Sequence, residues 1–261
     1  MRPSFSGCNS SNFSLAISHD CATLFSHETH HAYGATAMRN PWLELPRRSP
    51  YILPQDRKAI LRLNGRVSAK NNGQGRINVN LLPEPFIGNP KTAKVVLLNL
   101  NPGVGDGDRQ AHRNPLFRRA IIRNLRNEPQ EYFFYPLDPK LEKTPCAQWW
   151  LKHLRELFQK AGLDRKTVAR RLCVIEWFPY HSQKAYLPER QTCPSQEYAF
   201  RLALKALETR KLVVGMRAKK RWIAVDSCFK SVPFLKSPQN CCISSGNAGK
   251  ILFQQIVDAL R

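Results

Sequence analysis

Lys94-Val-Val-Leu-Leu-Asn-Leu-Asn-Pro-Gly-Val-Gly-Asp106 is the stretch on which the reading of this chain turns. Five of the six residues from Val95 to Leu100 are apolar, without alternation. A strand covered on both faces has that pattern, as in a parallel sheet. Pro102 and Gly103 then break the strand and turn the backbone. Asn101 is therefore expected at the carboxyl end of a central strand, where open α/β sheets bind ligands.

Outward from this strand the same logic repeats. Leu172–Phe178 is a second buried-type strand, ended by Pro179, and Lys211–Gly215 a third. Ile77–Leu82 reads as a short strand and Val232–Leu235 as a further one, with residues 83–90 a loop leading into the first core strand. Helices are predicted over Gln55–Leu63, Pro115–Leu125, Trp149–Ala161, Ser195–Leu207 and Gly249–Leu260, with a helical turn at Met216–Trp222. Gly103–Arg113 reads as a loop. Strands alternating with helices predict an α/β fold: a three-layer α/β/α sandwich around a short parallel sheet.

The chain has 261 residues and 42% hydrophobic content, enough for a substantial core. It carries 41 Lys and Arg against 19 Asp and Glu, a net charge of +22. A polyanion is the natural partner, and nucleic acid the commonest one. Residues 1–37 hold only Arg2, Asp20 and Glu28, so the remainder carries +23. Residues 1–37 are Ser-rich, lack a continuous apolar run and read as a disordered extension or a start assigned upstream of Met38, not as a signal peptide or membrane span. Residues 38–82 form a basic arm packing on a core domain of residues 83–261. The eight cysteines are irregularly spaced, which predicts reduced thiols in a cytoplasmic protein. Cys8, Cys21, His27, His30 and His31 contain no close Cys pair to nucleate zinc, and the spacing does not suit an iron–sulfur cluster. Gly103–Gly107 lacks the Gly-Lys-Ser/Thr ending of a phosphate loop. No cofactor or metal is expected.

Four pieces in order resemble the uracil-DNA glycosylase superfamily, closest to its mismatch-specific and single-strand-selective branches. They are the strand ending in Asn99-Leu-Asn101-Pro-Gly103, Ile175-Glu-Trp-Phe-Pro179, Leu212-Val-Val-Gly-Met-Arg-Ala218, and Ser237-Pro-Gln-Asn240 with the helix after it. The resemblance spans about residues 83–260. It implies a monofunctional DNA glycosylase, a monomer acting on single- or double-stranded DNA. Such an enzyme flips a base into a pocket and hydrolyses its bond to the sugar, in base repair or in defence against foreign modified DNA. It implies that Asn101 orients the attacking water and that Asn99, Glu176, Phe178, Tyr180 and Asn240 surround the base. In the second motif the alignment puts Leu235, with Lys236 beside it, where a His commonly stands. An alternative register puts the catalytic Ser237 there, and the sequence does not choose.

Glu176 falls where the family has a base-reading Asn. An ionised carboxylate only accepts hydrogen bonds, which favours a cytosine-type amino group over uracil O4; a protonated one would still serve uracil. Tyr180, following Pro179, is expected to be exposed, and Phe117 is a weaker stacking candidate. His181, Lys219, Lys220, Arg221, Lys236, Ser244, Ser245 and Asn247 are expected to grip DNA, with the arginines of 114–126 as a second phosphate rail. The competing readings are a non-catalytic nucleic-acid-binding module on a decayed glycosylase fold and a basic RNA-associated protein of another α/β fold.

Overall fold

The computed structural model describes residues 38–68 and 74–261. The expectations for residues 1–37, including the five residues weighed for zinc, lie outside the described residues. The chain runs through α1 (Arg57–Ser68), β1 (Ile77–Asn78) and β2 (Phe86–Ile87) into β3 (Val95–Asn99). Between β3 and β4 (Leu172–Glu176) lie α2 (Asp108–Ala111), α3 (Pro115–Leu125), α4 (Pro145–His153), α5 (Arg155–Gln159) and α6 (Arg165–Arg171). Then come β5 (His181–Ser182), α7 (Gln196–Glu208), β6 (Leu212–Gly215), α8 (Lys219–Val225), α9 (Ser245–Ala248) and α10 (Lys250–Leu260).

The fold mixes helix and sheet. The three continuous apolar runs lie side by side in one four-stranded sheet, in the order β2-β4-β3-β6. β3 is parallel to both neighbours, and every residue of β3 and β4 is buried. The sheet is mixed rather than wholly parallel. Residues 86–87, expected as loop, pair antiparallel on β4 as an edge strand. Gly88 makes this approach possible. Its φ is +99°, and a Cβ there would stand 2.4 Å from the Leu172 carbonyl oxygen. α7 packs on β3, β4 and β6, and α10 packs on β3, β6 and α6.

Several expected elements are shorter or divided, each for a local reason. The strand at 77 stops at Asn78, whose side chain accepts from the Asn80 N–H and turns the chain. The helix expected over Trp149–Ala161 is two helices, α4 and α5, meeting at Leu154. There the His153 carbonyl accepts from Ile243 N–H, and the His153 ring contacts the Trp149 carbonyl. Val232–Leu235 is not a strand. Pro233 has no N–H to donate, and one bridge, Gly215 to Phe234, is all that forms. The predicted loop at 103–113 contains α2, and α6 was not foreseen. Asp164 opens α6 by accepting from Thr167 N–H.

The arm before residue 83 belongs to the same core. Trp42, Leu53, Ile60 and Ile77 are buried with the sheet residues. Buried Asp56 accepts from Tyr180 Oη at 2.6 Å and Ser195 N at 3.0 Å. β1 pairs antiparallel with β5. The six cysteines among the described residues are free. No helix among them is long and apolar enough to cross a membrane.

Candidate active site

β3 and β4 end side by side, with Asn99 opposite Glu176 in the parallel register. Beyond them the chain diverges and opens a cavity of about 350 Å³, within the range of small-ligand sites. Asn99, Asn101, Glu176 and His181, assigned to the site from the sequence, all line it.

Asn101 is held by its nitrogen. Nδ2 donates to the Pro102 carbonyl at 2.9 Å, to Ser182 Oγ at 3.0 Å and, more distantly, to the Tyr180 carbonyl at 3.5 Å. Carbonyl oxygens only accept, so the amide can face only one way. Its Oδ1 is left as an acceptor without a partner among the described residues. Asn101 is therefore a fixed acceptor at the cavity wall, suited to orienting a water molecule or a hydroxyl group.

Asn99 and Glu176 form a pair. Asn99 Nδ2 donates to Glu176 Oε1 at 3.0 Å. Asn99 is 4% exposed and Glu176 3%, yet Asn99 Oδ1 and Glu176 Oε2 have no hydrogen-bond partner among the described residues. An unpartnered buried polar atom costs about 1–3 kcal/mol, so two together in a cavity wall call for an explanation. Burial pushes the Glu176 carboxyl from its ordinary 4.5 up to about 8, against the opposing pull of Asn99 and Arg217. Near neutral pH it is mostly the acid, able to donate. In that form it is the protonated case, in which the sequence reading leaves uracil open beside cytosine.

The cavity wall also holds residues the sequence reading missed. Glu84, which looked like part of a loop, accepts a short hydrogen bond from Tyr135 Oη, and its Oε2 lies 3.4 Å from His181 Nε2. Burial raises the Glu84 carboxyl, opposed by His181 and Tyr135. Asp108 is likewise raised by burial. His112 is held neutral, its ring pushed down to about 2 by burial and by His181 and Arg118. Its Nδ1 accepts from Leu82 N–H. Trp149 stacks on His153 with ring centroids 3.7 Å apart, and Arg217 sits 6.0 Å from the Trp149 ring centroid. Arg217 also donates to the Pro238 carbonyl, joining the cavity to the loop after it.

Other assignments need correction. Tyr180 is fully buried, not exposed, because its hydroxyl reaches Asp56 far back in the chain. Phe178 and Phe117 are core residues too, and none of the three lines the cavity. His181 is buried and does not face solvent phosphates. Its Nδ1 lies 2.7 Å from the Gly103 carbonyl and its Nε2 3.0 Å from that of Leu82, pinning the turn after Asn101. Ser237 and Asn240 do not line the cavity. Ser237 Oγ accepts from Asn240 N–H, a bond within their own loop. Asn247 is the staple of that loop, accepting from Ser237 N–H and donating to the carbonyls of Asn240 and Cys242. Ser244 caps α9, and Ser245 binds the Glu156 carboxylate. Arg221 is engaged by the Leu187 and Pro188 carbonyls and lies over Trp177.

Lys219, Lys220, Arg221 and Lys236 do share one basic groove, with Glu189 at its side, and Arg217 belongs both to it and to the cavity. Arg113, Arg118, Arg119, Arg123 and Arg126 line another groove along α3, where Glu128 meets Arg123 and Arg126. Comparison with family models, with curated proteins and with solved structures finds no match to this chain.

Proposed function

We propose that this chain is a monofunctional DNA glycosylase. The observation that carries the reading is Asn101, locked by its nitrogen with its oxygen left as an acceptor, in a cavity wall shared with Asn99 and Glu176, each of which keeps a buried polar atom without a partner among the described residues. The geometry suits a reaction in which a bound base is held by Asn99 and Glu176 while Asn101 Oδ1 orients a water molecule. The bond between C1′ and the base nitrogen breaks with its electron pair leaving on the base. Water oxygen bonds to C1′, its proton passes to solvent or the departing base, and an abasic site remains. Asn101 is too weak a base to take that proton, so its part is orientation. Trp149 offers an aromatic face, as base-flipping enzymes require.

Right-handed crossovers from β3 to β4 and from β4 to β6 run in opposite directions across the sheet. They would set α6 and α7 on opposite faces, giving the three-layer arrangement of the glycosylase resemblance. The net charge of +22 and the groove of Arg217, Lys219, Lys220 and Lys236 beside the cavity fit a phosphate backbone entering there. DNA is accordingly the partner we assign.

The test is purified protein on single- and double-stranded oligonucleotides bearing uracil, cytosine and 5-substituted pyrimidines, followed by alkali to cut abasic sites. Wild type is expected to create cuts at one class of base, and Asn101→Ala to slow them at least about a hundredfold, the scale of a lost positioning group. Excision by Asn101→Ala at the wild-type rate would refute the assignment. DNA binding without release of any base would leave a binding module.

A further inference from the structure

Asn99 and Glu176 line the cavity, and each keeps one buried polar atom without a partner among the described residues. Asn99 Nδ2 is committed to Glu176 Oε1, so the Asn99 oxygen is left as an acceptor. With Oε1 accepting, the acid proton of neutral Glu176 sits on Oε2, the other unpartnered atom. One acceptor and one donor thus stand side by side on adjacent strands. Exchanging the oxygen and nitrogen of the Asn99 amide would swap the two roles and still leave one of each. An ionised Glu176 would instead leave two acceptors. The half-buried Trp149 ring, backed by His153, lines the same cavity and offers a flat apolar surface.

We propose that Asn99 and Glu176 act as one hydrogen-bonding unit that reads a planar, uncharged heterocycle offering a donor next to an acceptor on one edge, with the carboxylic acid and the amide each meeting one of them. This rests on the reading of the cavity as a base site and narrows it. The unit refuses an edge with two acceptors, and it refuses a ring whose edge nitrogen is alkylated. It makes recognition depend on a proton that Glu176 keeps. The groups that set this proton come from every side. Arg217, after β6, favours the carboxylate, while Glu84, before β2, opposes it. Tyr135 and Cys146 feel the Glu176 charge, and Asp108, His112 and His181 line the same cavity. Burial outweighs them and favours the acid near neutral pH. A 4-oxo pyrimidine and a 4-amino pyrimidine both carry the required pair, in opposite order, so a fixed unit takes one and not the other.

Titration calorimetry with 1-methyluracil, 1-methylcytosine and 1,3-dimethyluracil tests this, the 1-methyl group standing for the sugar. One of the first two is expected to bind at pH 6.5. 1,3-Dimethyluracil, with its edge nitrogen blocked, is expected to bind at least about tenfold more weakly than the better of them. Wild-type affinity for the better-binding monomethyl base is expected to fall about tenfold between pH 6.5 and pH 9.0, following the loss of the acid form. Glu176→Gln cannot ionise, and its affinity ratio between the two pH values should approach one. Equal binding of 1,3-dimethyluracil, no binding of either monomethyl base, or the same pH fall in Glu176→Gln would overturn the proposal. The expected profile in a protein that releases no base from DNA would remove the catalytic reading and keep this one. Excision with a flat binding profile would do the reverse.

Discussion

Replacing Glu176 by glutamine removes one buried titration while keeping the shape of the side chain and its bond from Asn99. In the folded chain burial lifts this carboxyl from 4.5 to about 8, whereas in the unfolded chain it ionises near its ordinary value. Between those two values the unfolded state binds fewer protons, so wild-type stability falls as pH rises. The slope is about 1.4 kcal/mol per pH unit for one group, and across the interval it accumulates to about 5 kcal/mol. That is comparable with the whole stability of many domains. Asp56 and Asp108 are also raised by burial, but they titrate in both proteins and cancel in the difference. Urea unfolding of wild type and Glu176→Gln at half-unit steps from pH 4 to pH 9 reads the effect. The two proteins should be close in stability at pH 4. The glutamine variant should gain steadily above that, and the gap should level off near pH 8. Parallel stability curves across the whole range would refute the claim that Glu176 is held as the acid.

Three further outcomes are expected. Ser182→Ala removes an acceptor of the Asn101 amide, and the excision rate should fall about tenfold with KM unchanged, since about 1–1.5 kcal/mol of positioning is lost; steady-state kinetics separates the two constants. Gly88→Ala forces a Cβ against the Leu172 carbonyl at a backbone angle that side chains avoid, and the urea midpoint should drop by the equivalent of about 3 kcal/mol. Asn247→Ala unfastens the loop before α9, and hydrogen exchange over 237–243 should accelerate by at least about tenfold while exchange in β3 and β4 stays unchanged.

The parallel strands were legible because β3, β4 and β6 are short apolar runs without alternation, each closed by Pro, Gly or a polar residue. Pro115–Leu125 was legible from its period and its local start signal, Asn114 followed by Pro115. The edge strand at 86–87 was not, because two residues carry no period, and its partner Val174-Ile175 lies almost ninety positions away. Asn99, Asn101 and Glu176 were found because strand ends announce themselves. Tyr180 was misjudged because its acceptor, Asp56, is 124 residues distant. Trp149 was passed over for a related reason. Helical spacing puts Trp150 in the core and Trp149 on another face, and only the tertiary structure turns that face toward the cavity instead of open solvent. Ser237 looked like a site residue from motif order, but Asn247 folds its loop back on itself, and Arg217 occupies the rim.

The grip of Ser182 on Asn101 closes a loop of 81 residues, and β5, which carries Ser182, is itself clamped by β1 from the arm. The cavity draws Glu84 from before the sheet and Arg217 from beyond its last strand. During synthesis, then, the turn bearing Asn101 emerges long before the residues that immobilise its amide and complete the wall. Pairings so distant in sequence form slowly and late in folding. A polypeptide stalled or cut between the Asn-Pro-Gly turn and β6 can display that turn, yet it lacks Arg217 and the full pocket wall. Chemistry at the cavity is in this way a property that switches on with completion of the fold, and truncated products of the chain are expected to be inert toward whatever the cavity binds.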